Sequence, residues 1–153
     1  PWPPLTATGA PDSLTLLGHT VRVTKDNYVI LNNLGEALAT AGRLDESIAV
    51  LRDAVRINPE HCNASYNLGL DLLRQRRPRE AIPALERSLA CYRRKNMKPE
   101  WIADTLSNLG SANYQVGRLA EAEAYFVDLI HLDAQNAWAR QMLGTIRAAR
   151  RAQ

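Results

Sequence analysis

The chain has 153 residues, 46% hydrophobic and 23% charged, the size and composition of one ordinary domain that folds without cross-links. Two cysteines are too few for a disulfide framework, no zinc-type cluster surrounds them or the three histidines, and no apolar run approaches the roughly 18 residues of a membrane span. A net charge of +3 leaves nucleic acid open without arguing for it, and aromatic residues are thin at 6%, with Phe126 the single phenylalanine.

The chain begins at Pro1 rather than Met, which points to a processed product or an excised fragment. Residues 1–11, with Trp2-Pro3-Pro4-Leu5, read as an extended segment. A first helix is expected over 12–24; it carries Leu14, Leu16, Leu17, Val21 and Val23 but has no partner helix before it. The second, 27–41, places Leu31, Leu34, Gly35 and Leu38 on one face, and Gly42 stops it. The third, 44–57, repeats the pattern with Leu44, Ile48, Leu51 and Val55 before Asn58-Pro59. Helices follow over 62–76, 79–95, 99–116, 119–132 and 136–150, with Pro83 placed in about the first turn of its helix and Pro99 in the first turn of the next.

These elements recur. Asn33-Leu34-Gly35 returns as Asn67-Leu68-Gly69, as Asn108-Leu109-Gly110 and, degraded, as Met142-Leu143-Gly144, at intervals of 34, 41 and 34 residues. A second marker, Asp12-Ser13, Glu46-Ser47, Glu80-Ala81 and Glu121-Ala122, keeps intervals of 34, 34 and 41. Two independent markers with one period make the chain an array of helix pairs. The seven extra residues lie between Leu89 and Leu106 and are nearly two helical turns, so both helices lengthen without losing facial phase. Each mid-helix glycine costs about 1 kcal/mol relative to alanine. Their return at one position implies that the partner helix approaches too closely there for a Cβ.

At these residues the sequence resembles the tetratricopeptide repeat family. Tyr28–His61 carries its Leu-Gly, turn Gly42, Ala54 and closing Pro59; Cys62–Lys95 has Arg76 in place of the turn glycine; Ala103–Asn136 matches through Gly117, Ala122 and Phe126, with Ala134 where Pro is expected. The resemblance implies an all-α, right-handed superhelical solenoid of antiparallel helix pairs, about eight helices in all. It divides a single domain, 12–150, into a half-repeat 12–27, repeats 28–61, 62–102 (with the insertion) and 103–136, and a terminal helix 137–150.

Catalysis finds no support: there is no phosphate-cradling glycine loop, no His-Glu-x-x-His and no Gly-x-Ser-x-Gly, and no cofactor or metal is expected. Glu36, Asp45, Glu46, Asp71, Glu80, Glu121 and Glu123 read as solvated or capping residues, and His19, His61 and His131 as surface or dipole-compensating groups near helix ends. The asparagines are more informative. Asn33, Asn67 and Asn108 precede each Leu-Gly pair, and stacked units set them in a row on one face. An amide offers both donor and acceptor, so it pairs with peptide backbone without reading side chains.

In tetratricopeptide domains this position faces the concave groove, and in the O-GlcNAc transferase branch a ladder of such asparagines holds extended polypeptide; Asn33, Asn67 and Asn108 look similar. Asn32, Tyr66, Arg74 and Tyr114 are expected beside them, on a stripe that also holds Val29, Glu36, Asn63, Asp104, Trp138 and Gln141. The chaperone-binding members clamp a C-terminal carboxylate with Lys and Asn, but this stripe has no lysine. The basic clusters Arg74/Arg76/Arg77/Arg79, Arg93/Arg94/Lys95/Lys98 and Arg147/Arg150/Arg151 lie at turns and helix ends, which argues against nucleic acid. Cys62 and Cys91 begin one helix and end its partner; a disulfide needs a close Cα pair, and thiols are the expected state. Asn63-Ala64-Ser65 fits a glycosylation sequon inside a helix, a coincidence.

The expected function is noncatalytic binding of an extended peptide from a protein partner. A second expectation rests on Asp12–Gly35, similar to the start of repeat tails that follow multi-span glycosyltransferase-like membrane proteins in bacteria: a soluble tail of a larger membrane-anchored protein. A third is a homo-oligomer joined through exposed end helices.

Overall fold

The computed structural model describes residues 27–152, and these form seven helices with no strand among them. α1 (Tyr28–Thr40) pairs with α2 (Leu44–Ile57), α3 (Cys62–Arg74) with α4 (Pro78–Arg94), and α5 (Pro99–Gln115) with α6 (Leu119–Leu132), followed by α7 (Ala137–Arg151). Each hairpin packs on the next, and the first helices also meet one another, α1 with α3 and α3 with α5. This is the all-α solenoid of helix pairs, and each helix end falls within two residues of the periodicity reading. The expected segments 1–11 and 12–24 lie outside the described residues.

The turns explain the hairpins. Gly42 and Gly117 take φ of +77° and +79°, and the same left-handed conformation is held by Arg76 at +58° and Asn96 at +49°. At each the chain closes the preceding helix with two reverse hydrogen bonds: the Arg76 amide donates to the Leu73 carbonyl and the Arg77 amide to that of Leu72, both at 2.9 Å. Arg76 therefore does the work of the glycine it replaces, with a Cβ that crowds the following carbonyl. Arg76→Gly is expected to raise unfolding free energy by about 1 kcal/mol, read from the urea midpoint; a lowered midpoint would show that the arginine side chain holds the turn.

The recurrent helix glycines are close-approach sites, as expected. A Cβ on Gly35 would meet Leu51 Cγ at 2.6 Å, one on Gly69 would meet Leu85 Cγ at 2.5 Å, and one on Gly110 would meet Phe126 Cε2 at 2.7 Å. Among the described residues nothing lies within 4 Å of a Cβ on Gly144, so the fourth seat is open there. Leu51, Leu85 and Phe126 are fully buried in one continuous core running the length of the stack.

Four readings are corrected. Cys62 and Cys91 form a disulfide, with Cα atoms 5.5 Å apart. They bring the start of α3 against the last turn of α4, and the buried small residues Ser65 and Ser88, one turn further in on each helix, let the two approach. With Tyr92 the bridge forms a second, smaller core, packed by Tyr66, Met97 and Ile102. Asp71 is not solvated but only 2% exposed. The Ser47 hydroxyl shares its one proton between the Gly35 carbonyl (2.7 Å) and Asp71 Oδ2 (2.6 Å), and Arg74 Nη1 donates to Asp71 Oδ1 at 3.0 Å, so α1, α2 and α3 are tied together.

His61 occupies the N-cap position of α3 without a side-chain capping bond, and the helix dipole there disfavours a cation, so it compensates nothing. Burial, and then the Lys95 charge, push its pKa down. Pro83 lies inside α4, beyond its first turn; it and Arg79, whose carbonyl it leaves without a donor, are exposed to water. Pro78 and Pro99 occupy helix starts, where a missing amide costs little.

Candidate functional site

The first helices of the hairpins share a groove, and at its centre lies a cavity of about 300 Å³. α1 contributes Asn32 and Glu36, one turn apart; α3 contributes Asn63, Tyr66 and Asn67; α5 contributes Trp101 and Asp104 from its first turns. Helical periodicity alone brings each set to one face, because residues three and four apart are neighbours on a helix. Tyr92 reaches the cavity from the end of α4.

The amides form a relay. Asn67 Nδ2 donates to Asn32 Oδ1 at 3.1 Å, and Asn32 Nδ2 donates to Asn33 Oδ1 at 3.5 Å. Asn32 is buried, whereas Asn33 is exposed and does not line the cavity. Asn108 does not itself line the cavity: its Nδ2 donates to the Asp104 carbonyl in its own helix at 2.9 Å, and its side chain lies in hydrogen-bonding reach of the Tyr66 hydroxyl. Of the residues expected at the site, Asn32, Tyr66 and Asn67 therefore come together at the cavity. Arg74 is held by Asp71, and Tyr114 packs half-buried against the main core.

Three aromatic rings close one end. Tyr92 lies between Tyr66 (centroids 6.2 Å apart) and Trp101 (5.7 Å), all tilted, and its hydroxyl donates to Asn63 Oδ1 at 2.8 Å. Tyr92 is almost fully buried, while Trp101 remains 36% exposed. Burial, and then the nearby Asp104 charge, push the Tyr66 hydroxyl up to about 12; burial likewise raises Tyr92. Both are neutral donors at physiological pH. Tyr92 and Trp101 were missed from sequence because neither falls on the expected stripe: Tyr92 ends a second helix, and Trp101 lies among the extra residues beyond Lys95. Their signal was the neighbourhood of the insertion, where Cys91, Tyr92 and Trp101 fall within eleven positions of a chain poor in such residues.

The carboxylates differ by location. Glu36 and Asp104, at the cavity, have no ion-pair partner among the described residues. Elsewhere several acids pair with arginine: Arg77 with Glu80 and Arg93 with Asp128, both at 2.7 Å, Arg94 with Glu60, and both Arg147 and Arg150 with Glu123. Many of the arginines in the basic clusters thus serve local ion pairs. Among the described residues no group of His, Cys, Asp or Glu is placed to hold a metal, and no helix is long and apolar enough to cross a membrane.

A family model described as tetratricopeptide repeat matches residues 26–94 and 60–130. Among solved structures, MamA 41-end from Desulfovibrio magneticus RS-1 is 25% identical with a TM-score of 0.75, covering 90% of this chain and 73% of that one. YrrB, described as a TPR protein with an unusual peptide-binding site, is 17% identical with a TM-score of 0.73 over 90% of this chain and 68% of its own. The first TPR of Spaghetti (RPAP3), bound to HSP90 peptide SRMEEVD, is 20% identical with a TM-score of 0.64 over 80% of this chain and 94% of its own. No curated protein matches.

Proposed function

The chain belongs to the tetratricopeptide repeat family, and on that premise we propose that it is a noncatalytic protein-interaction module that holds an extended polypeptide segment along its groove. The observation that carries this is the cavity between α1, α3 and α5, where the Asn32, Asn63 and Asn67 amides and the Tyr66 ring converge from successive repeats. Amide side chains match the alternating donors and acceptors of an extended backbone. Asn33 and Asn108 extend the contact to either side, and Arg74 and Tyr114 flank it, in the manner of an asparagine ladder. Two structural neighbours, YrrB and the RPAP3 repeat domain, are described with a peptide-binding site or a bound peptide.

The test is to replace Asn33, Asn67 and Asn108 together by alanine and measure binding to peptides selected on an array. Losing several hydrogen bonds at about 1 kcal/mol each should weaken affinity at least tenfold. Asn67→Ala alone should account for the largest share, since only Asn67 of the three lines the cavity. Unchanged affinity with intact helicity would sink the reading.

A second reading follows from the resemblance of Asp12–Gly35 to bacterial membrane-protein tails: the module positions substrate for chemistry carried out upstream. Apolar spans encoded ahead of Pro1 in the full reading frame support it, and their absence removes it. The open seat at Gly144 favours a third, self-association through α7, which a monomer at all micromolar concentrations would refute.

A further inference from the structure

Resting on the groove reading above, we infer that the cavity is a seat for an arginine side chain presented by the bound segment. Its walls supply what a planar cation needs. Tyr66, Tyr92 and Trp101 form a contiguous aromatic end, and Trp101 keeps 36% of its surface open. A guanidinium over such a ring is attracted by its quadrupole, more strongly where water is partly excluded. Among the described residues, Glu36 and Asp104 stand at the same cavity without ion partners, and no lysine or arginine lines it.

Glu86, Glu100, Glu121 and Asp133 also carry no ion pair among the described residues; what sets Glu36 and Asp104 apart is that they line the cavity together. The chain has 19 Lys and Arg against 16 Asp and Glu, and Glu46, Glu80, Glu123, Asp71 and Asp128 are each bonded to arginine. Two carboxylates without ion partners among the described residues, facing a half-open, partly apolar space, repel an acidic or C-terminal carboxylate group and favour a cation. Asn67 donates Nδ2 to Asn32, which leaves its amide oxygen as a further acceptor. Five N–H groups in a rigid fork can stack on a ring and reach several acceptors at once, whereas an ammonium offers three donors from one point. Arginine therefore fits better than lysine.

The experiment uses the full chain and array-selected peptides made as sets that differ at one position: arginine, lysine, citrulline or glutamate. In parallel, N-acetyl-arginine methylamide is titrated while the Trp101 indole N–H is followed by NMR. Arginine is expected to bind about tenfold tighter than citrulline, with glutamate weakest. The preference should vanish in the Glu36→Gln, Asp104→Asn double variant, whose helicity is checked by circular dichroism.

Peptides that bind without preferring arginine to citrulline, or lysine equal to arginine, would overturn the arginine seat and leave the groove reading standing. If no peptide binds but the arginine amide shifts the Trp101 indole in the parent and not in the double variant, the seat stands and the groove reading falls. Silence in both arms overturns the seat.

Discussion

Replacing Cys62 and Cys91 together by alanine is expected to lower the unfolding free energy by about 3 kcal/mol, the stabilisation given by closing a loop of 29 residues in the unfolded chain. In a chain of this size that is a fall of roughly 10 °C in Tm. The loss should be local as well as global. The bridge holds the last turn of α4 against the start of α3, and Tyr92, next to Cys91, is an aromatic wall of the cavity. Amide exchange in the double variant should therefore rise most around Cys91–Lys95, with little change in α6 or α7. An unchanged Tm, or two titratable thiols in the native protein, would contradict this.

Phe126→Ala is expected to cost about 3–5 kcal/mol. Phe126 is fully buried, fills the close seat beside Gly110, and meets the Trp138 ring edge-on at 5.3 Å, so its loss opens a cavity between α5, α6 and α7 at once. Phe126→Leu should cost clearly less, because Leu51 and Leu85 hold the equivalent seats against Gly35 and Gly69 in the other repeats. The pair of variants, compared by guanidinium unfolding, separates seat-filling from ring size. Equal losses for alanine and leucine would mean that the Trp138 contact, not the seat, carries the effect.

Most of the fold was legible because a repeat states each rule several times. The Leu-Gly pairs marked the helix seams, and the structure shows why: each glycine admits a leucine or phenylalanine that a Cβ would strike. Turn glycines marked the hairpins, and even Arg76, which breaks the motif, keeps its conformation. What was not legible depends on distance across helices rather than on spacing along one. The Cys62–Cys91 pairing follows from the register of α3 against the extended end of α4, and small serines one turn away tighten it. Asp71 looked like any surface acid until Ser47, from the preceding repeat, was found against it.

The site followed the same division. Asn32, Tyr66 and Asn67 line one cavity, brought there by the helical period, and Glu36, Asn63 and Asp104, from the same predicted stripe, line it with them. Tyr92 comes from the end of a second helix and Trp101 from the extra residues beyond Lys95, and the first-helix stripe places neither. The lengthened segment thus does more than extend two helices: it brings Trp101 beside Tyr92 as a second aromatic wall of the cavity.

The central claim, that the groove between α1, α3 and α5 holds an extended polypeptide, is tested most directly by side-chain NMR during titration with an array-selected peptide. The signals of the Asn32, Asn63 and Asn67 amides and of the Trp101 indole should shift together, while the Trp138 indole stays unchanged. Shifts confined to α7 and Trp138, or to the outer faces of α2, α4 and α6, with the cavity amides unmoved, would contradict it.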